Sequence, residues 1–518
     1  MKIKILFVSF IFALNLSVYS KTIHIYHTSD VHGGYFSRQA KWDSENSTRI
    51  IGGFAVFSNL LKQDKNPYIL LDSGDLFQGT PEGNFTKGMA SIEFMNYLGY
   101  SASTLGNHDY DYGESALKDL AKNAKFDFLG ANIYYKKDGK NPEYVKPYKI
   151  IEIGGEKIAV LGIAGEHTRT STLPTNVKHL DFKDEAGETA KYIKEINALK
   201  PDAIIILAHI GISGEFAQAI VDISTYDFTN QNLRHSTIEL ARAAKNANLI
   251  FGGHVHTGLL NGWKDPQTNT TLCESYFSLT HVSMATLEFD DKTNKLQSVS
   301  CKLIPLWKDI YGEDEKVIAI STQIISKTDE IMAKVIGEAV EDIGYSKNSP
   351  DSPIGNWMTD IMRDYAKADG AFQNSGGIRG QIFKGPVKLR DVYQVMPFEN
   401  TLVKLTMTGE QIEKLIKDNL REERTSMQIS GFNVKYKVKN NRVSEVIVEK
   451  DGKQINKNDK FKIVTNNYLT TGGSGGKAFM LSSDINDTMI SIRDILIKYI
   501  ETNKQIKSPG TGRFIKID

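Results

Sequence analysis

Short apolar runs that end abruptly in histidine, aspartate and asparagine constrain this chain more than any other feature. Residues 22–26 read as a strand and run into His27-Thr28-Ser29-Asp30-Val31-His32-Gly33. Residues 68–71 have the character of a buried strand and end in Asp72-Ser73-Gly74-Asp75. Residues 202–207 end at Ala208-His209, and 249–251 end at Gly252-Gly253-His254-Val255-His256. Between the first of these runs lie stretches with apolar spacing of three and four, at 54–62 and about 90–98, the period of an amphipathic helix. That pattern belongs to an α/β sheet, whose carboxyl edge is where ligands bind. Asp30 and His32 alternate, so at a strand end both side chains are expected on one side.

The second helical stretch leads through 101–105 into Gly106-Asn107-His108-Asp109-Tyr110-Asp111. Asp30, His32, Asp75, Asn107, His209, His254 and His256 then form one constellation at successive strand ends. A single histidine of this kind is more often a satisfied core residue; seven donors at strand ends are not explained that way. Two divalent ions held about 3.5–4 Å apart need a shared anionic ligand. Aspartate can bridge, imidazole binds transition metals, and an amide oxygen adds a donor without charge. The histidine content and the absence of thiolate point to zinc, manganese, iron or cobalt.

At 518 residues the chain is too long for one core, so two or three domains are expected. The formal net charge of +1 argues against a nucleic-acid polymer or an anionic membrane as the main partner. Lys2 and Lys4, the apolar run 5–16, and small residues Val18 and Ser20 read as a cleaved export leader over 1–20. That run is too short to span a bilayer, and no later segment reads as membrane-spanning. The mature chain is expected in the periplasm, with medium or cell surface as alternatives. Cys273 and Cys301 are the only cysteines, and an oxidising compartment permits a bridge between them. Two strands, 282–289 and 296–303, flank the turn at 290–295.

Between 314 and 336 lies a helical connector whose apolar face reads as Val317, Ile318, Ile320, Ile324, Ile325, Ile331 and Met332. The boundary falls near 335. The second half reads as α+β. Residues 354–368 form a helix with Trp357, Met358, Ile361, Met362 and Tyr365 on one side. A strand at 402–407 precedes a helix capped by Thr408; Phe432, Val434, Tyr436 and Val438 alternate as a half-buried strand.

The blocks Asp30-x-His32, Gly74-Asp75, Gly106-Asn107-His108-Asp109, His209 and Gly252-Gly253-His254-x-His256 resemble the calcineurin-like metallophosphoesterases in order and content. His27-Thr28-x-Asp30 and the hexapeptide ending in Asp111 resemble the 5′-nucleotidase branch, with Ser29 where that branch usually has asparagine. In the second half, Asn374-Ser375-Gly376-Gly377-Ile378-Arg379, Pro397-Phe398-Glu399-Asn400 and Asn466-Asn467-Tyr468-Leu469 with Gly472-Gly473 are similar to blocks of the 5′-nucleotidase carboxyl-terminal domain. The resemblance implies an α/β/β/α sandwich of mixed sheets at 21–312, a linker helix at 313–335 and a smaller α+β substrate-binding domain at 336–518.

It also implies roles. Asp30, His32, Asp75 and His256 hold one metal, and Asp75, Asn107, His209 and His254 the other. His108 stabilises the phosphoryl transition state and assists the leaving oxygen. Asp111 orients that histidine, and Asp109 becomes structural. Asn374, Gly377, Arg379, Phe398 and Asn400 bind substrate, with Arg379 on phosphate and Phe398 stacked on the base. The family's Gly-Gly-Asp-Gly-aromatic sequence is altered here to Gly472-Gly473-Ser474-Gly475-Gly476-Lys477-Ala478-Phe479. Either Phe479 is the second stacking aromatic after a short insertion or the base clamp is absent, and Asp484 is expected as the ribose carboxylate. The basic residue that often precedes the Gly355-Asn356 helix start is missing.

The implied activity is a 5′-nucleotidase working by in-line attack of a metal-activated water, with the two domains closing around a nucleotide. Alternatives are a 2′,3′-cyclic nucleotide phosphodiesterase with 3′-nucleotidase activity, a UDP-sugar hydrolase, and a non-catalytic surface binding protein. Oligomeric state is not legible in the sequence.

Overall fold

The computed structural model describes residues 20–518 except 41, 213–215, 230, 347–348, 399, 423, 441, 474 and 518. The expected leader lies outside the described residues up to Ser20, which opens the first strand. The strands of two large sheets are, in chain order, β1 Ser20–Thr28, β2 Tyr68–Asp72, β3 Ala102–Thr104, β4 Asp127–Leu129, β5 Tyr148–Ile153, β6 Glu156–Ile163, β7 Ala203–Ala208, β8 Leu249–Gly252, β9 Trp263–Lys264, β10 Thr271–Glu274, β11 His281–Asp290 and β12 Leu296–Pro305. The first sheet runs β12-β11-β1-β2-β3-β4, with β1 to β4 parallel and β11 antiparallel to β1. The second runs β9-β10-β8-β7-β6-β5 and is parallel from β10 to β6.

The sheets pack face to face. Ile23, Ile25, Ile69 and Leu71 of the first share a core with Val160, Ile205, Leu207 and Phe251 of the second. Their sequence neighbours Tyr26 and Leu70 instead meet Phe57 and Leu60 of helix α1 (Phe54–Gln63) and Phe94 of α2 (Met89–Leu98) on the outer face. Ile204 and Ile206 point outward to Tyr192, Ile193 and Leu240 of α3 (Glu185–Ala198) and α4 (Thr237–Ala243). The central strands β2, β7 and β8 are covered on both faces, which is why their runs are continuously apolar rather than alternating. Cys273 on β10 and Cys301 on β12 are bridged, tying one sheet to the other. Closing that 28-residue separation contributes roughly 3–4 kcal/mol in chain-entropy terms.

The connector is helix α5 (Glu315–Met332), capped by Asp314. Asp314 also accepts from Ser58 Oγ of α1 at 2.6 Å, so the helix is pinned to the first half. Its buried face is Val317, Ser321, Ile324, Thr328 and Met332, whereas Ile318 and Ile331 are 38% and 52% exposed. The expected face was too wide because two hydroxyl residues are buried: Ser321 and Thr328 satisfy themselves on the helix's own carbonyls, at Val317 O and Ile325 O.

The second half centres on a five-stranded sheet. Its strands are β13 (Gly370–Asn374), β14 (Thr401–Thr408), β15 (Met427–Ser430), β16 (Lys460–Asn466) and β17 (Ser483–Ser491), in the order β15-β13-β16-β14-β17. Helices α6 (Pro353–Ala366) and α8 (Ile492–Asn503) cover one face; α7 (Gly409–Asn419) covers the other. Thr408 caps α7 with Gln411 as a reciprocal box. On α6, Trp357, Met358, Ile361 and Met362 are buried, but Tyr365, next to last in the helix, is 45% exposed. Among the described residues no helix is long and apolar enough to cross a membrane.

Candidate functional site

The seven donors expected at strand ends meet at the carboxyl edge of the two sheets, in loops rather than on the strands. β1 stops at Thr28, so alternation does not align Asp30 with His32. Both instead turn on left-handed backbone, at φ 51° and 48°. Asp75, His254 and His256 share that conformation at φ 59°, 72° and 59°. Five non-glycine residues of one cluster in a sparsely populated region indicate strain held by the surrounding structure.

Close loop packing holds it. A Cβ on Gly74 would lie 2.3 Å from the Gly106 nitrogen, and one on Gly106 would lie 2.2 Å from Asp75 Oδ1. Only two glycines let these loops touch. Asp109 clamps them, its carboxylate accepting from the backbone nitrogens of Asp75 (3.0 Å), Leu76 (3.0 Å) and Gly106 (2.8 Å). It reaches no cavity, and its acceptor capacity is spent on backbone.

The donor atoms are aimed. His32 Nδ1 donates to Gln78 O at 2.7 Å and His209 Nδ1 to Ser73 O at 2.6 Å, which turns each Nε2 inward. Asn107 Nδ2 donates to Ser171 O at 2.9 Å, leaving its Oδ1 facing His209 Nε2 at 3.2 Å. His32 Nε2 and His256 Nε2 face each other at 3.0 Å, beside the fully buried Asp30. Asp75 Oδ2 lies 3.2 Å from His209 Nε2 and 3.8 Å from His32 Nε2, between the two histidine groups. Asp30, His32 and His256 form one potential ligand set, and Asp30, Asp75 and His209 another. Burial pushes Asp30 up to about 7, with Asp75 adding to it. Facing nitrogens around buried carboxylates are costly without a cation, so the donor set fits divalent metal ions.

His108 stands beside this cluster. Its backbone nitrogen donates to Asp75 Oδ1 at 2.8 Å, and its Nδ1 meets Asp111 Oδ2 at 2.8 Å. Asp111 in turn accepts from Thr172 Oγ1 at 2.8 Å. Burial favours the neutral ring, but Asp111 and Asp75 outweigh it and raise the His108 pKa, against Arg379.

Arg379 comes from the second half. Its Nη2 lies 3.2 Å from His108 Nε2, and its Nε is buried without a partner. A cavity of about 420 Å³ opens there, lined by Asn107, His108, Asp111 and His254 on one side and Asn374, Gly377, Arg379, Phe398 and Asn400 on the other. The Arg379 guanidinium sits 5.6 Å from the Phe398 ring centre. Further polar contacts hold the halves around the cavity. Arg390 pairs with Glu82 and, at 2.6 Å, with Asp329 of α5; Asn84 donates to Pro397 O; Tyr468 donates to Thr170 O at 2.6 Å.

Two expected substrate residues are elsewhere. Phe479 is fully buried in the core against Phe372, at 5.9 Å between ring centres. The chain after Gly476 makes a tight helical turn, Lys477–Leu481, which carries that ring inward and leaves Gly475 on the cavity wall. Asp484 is exposed and lines a separate depression with Lys404 and Lys462. Sequence reasoning gave Tyr468 no role beyond its place in a family-like block, yet its ring lies over Gly473 and lines the cavity. It also missed Thr172, which holds Asp111, and His167, stacked on His254. His167 follows the apolar run of β6 by four residues, so the strand-end rule would have found it; Thr172 carries no such signal.

Residues 23–258 match the calcineurin-like phosphoesterase family profile, and 332–482 match the 5′-nucleotidase C-terminal domain. The chain is 28% identical over 492 residues to the trifunctional nucleotide phosphoesterase protein YfkN of Bacillus subtilis, covering 83% of this chain and 31% of that one. It thus spans about a third of that relative's length. It is 26% identical over 559 residues to the snake venom 5′-nucleotidase of Crotalus adamanteus, covering 97% and 90% of the two chains. The fold is that of the 5′-nucleotidase precursor from Thermus thermophilus, with a TM-score of 0.80 at 24% identity over 96% of this chain and 99% of that one.

Proposed function

Because the chain belongs to the 5′-nucleotidase family, with a calcineurin-like phosphoesterase domain followed by a 5′-nucleotidase C-terminal domain, and is a metal-dependent phosphoester hydrolase, we propose that it is an exported two-metal enzyme releasing phosphate from nucleotides. We take its parts as a leader at 1–20, the metal domain at 21–312, a linker helix at 313–335 and a substrate domain at 336–518. Asp30, His32, Asp75 and His256 would hold one divalent ion. Asp75, Asn107, His209 and His254 would hold the other, with Asp75 shared. Two such ions supply Lewis acidity to phosphoryl oxygens and lower the pKa of the attacking water.

One observation carries the reading. His108 Nε2 and Arg379 Nη2, from different domains, face each other at 3.2 Å beside the cluster. Arginine can only donate, so in this arrangement His108 Nε2 accepts and its proton sits on Nδ1 against Asp111. A phosphate entering between them accepts from Arg379 and, once the ring takes up a second proton at Nε2, from His108; Asp111 and Asp75 favour that charged ring. His108, its ring held by Asp111, can then pass a proton to the leaving oxygen, a contribution of roughly 10²–10⁴-fold. The guanidinium adds a planar, fixed charge against the developing anion. Phe398 and Tyr468 offer aromatic faces for the base.

Export is supported by the leader's pattern and by the Cys273–Cys301 bridge, which suits an oxidising compartment such as the periplasm. Phosphate release from AMP, ATP, UDP-glucose and 2′,3′-cyclic AMP, with zinc, manganese, cobalt and iron supplied in turn, tests the activity. AMP is expected to be turned over. Turnover of the cyclic ester or the sugar nucleotide alone would shift the assignment to those hydrolases, and inertness toward all four would support a binding role.

A further inference from the structure

An imidazole outside the motif pattern stands at the edge of the metal cluster. His167 follows β6 in the loop Gly165-Glu166-His167, and its ring stacks on His254 with centres 3.6 Å apart and planes 24° apart. His167 Nε2 is buried and has no hydrogen-bond partner. One ligand nitrogen from each of His167, His209 and His254 lies within 4.8 Å of the others. The ring's seat exists because residue 165 is glycine: a Cβ there would lie 2.0 Å from His167 Cε1. His209 is already fixed by its bond to Ser73 O, so its Nε2 and the unpaired His167 nitrogen share one space.

We propose that His167 is an additional ligand of the metal ion held by His209 and His254, giving that ion a face of three imidazoles. The proposal rests on the two-metal reading above. A buried ring nitrogen without a partner is unfavourable, and a metal bond relieves it. A third neutral nitrogen donor also tilts the site toward zinc, cobalt or copper and away from manganese or magnesium, which prefer oxygen. The other carboxylate–histidine group nearby, Glu166, Glu185 and His235, is bonded within itself and partly exposed, and it carries no comparable orphan atom.

The test compares wild type with His167→Phe and His167→Ala. Each metal-free protein is titrated with Co²⁺, reading bound metal after dialysis and the visible d–d spectrum. Phenylalanine keeps a ring to stack on His254 and removes the nitrogen. Wild type is expected to bind two ions. Both variants are expected to bind one of them at least tenfold more weakly, with an altered spectrum for that ion only, while the metal-free melting temperatures stay close to wild type. Wild-type affinity and spectrum in His167→Phe would overturn the proposal, even if His167→Ala lost metal, because packing alone would then explain the ring. A wild type that binds a single ion would overturn the two-metal reading itself, whatever the variants do.

Discussion

The metal cradle and the substrate wall face each other across one cavity, yet they are held in different ways. The cradle is fixed by backbone. Five of its seven ligand candidates sit on left-handed loop positions, Gly74, Gly106 and the Asp109 clamp lock two of the loops together, and the His32 and His209 rings are aimed by carbonyls. The wall is fixed by side-chain packing: Phe398 under Arg379, Tyr468 over Gly473, and Phe479 withdrawn into the core. A cradle of the first kind tolerates little change in sequence. A wall of the second kind can exchange one aromatic for another.

The sharpest way to break the comparison is at its shared carboxylate. Asp75→Ala should remove both ions and lower kcat/KM by about a thousandfold or more, read by metal analysis and phosphate release. Retained metal at two per chain would mean that the cradle is not organised around Asp75. Next, His108→Ala should cost roughly 10²–10⁴-fold in kcat while metal content stays unchanged, separating the acid from the ligands.

On the wall, Phe479→Ala and Tyr468→Ala should behave oppositely. The first should lose about 3–5 kcal/mol of stability in denaturant melts, with KM for AMP unchanged in the folded fraction. The second should raise KM roughly tenfold through lost stacking, with little change in melting temperature. Equal KM effects would put Phe479 back at the base. The smallest effect expected is a shift in pH profile. Asp111 raises the His108 pKa against burial, so the protonated acid persists to higher pH than it otherwise would. Activity that depends on it is lost as pH rises through that pKa. Asp111→Asn should therefore move the alkaline limb of kcat to lower pH; an unmoved limb would assign it to another group.

What the sequence made legible follows the same division. Every ligand candidate but Asn107 is tied to the end of an apolar run, and the central runs are visible because both faces of their strands are buried. The way the donors converge was not visible, since alternation along β1 stops at Thr28 and positive φ at Asp30 and His32 has no signature in non-glycine residues. The place of Phe479 is not legible in the sequence because an aromatic a few residues past a glycine cluster can turn either way, and the helical turn Lys477–Leu481 decides it. The connector's exposed Ile318 and Ile331 were misread because burial there follows Ser321 and Thr328, whose hydroxyls bond to their own helix.

The central claim is that one substrate is gripped by two domains, with metals on one side and Arg379 on the other. Anomalous diffraction from crystals grown with Co²⁺ and a non-hydrolysable AMP analogue tests it directly. The account predicts two metal peaks among Asp30, His32, Asp75, Asn107, His209, His254 and His256, the phosphate between His108 and Arg379, and the base against Phe398 and Tyr468. A single peak, or a nucleotide whose phosphate touches only one domain, would contradict it.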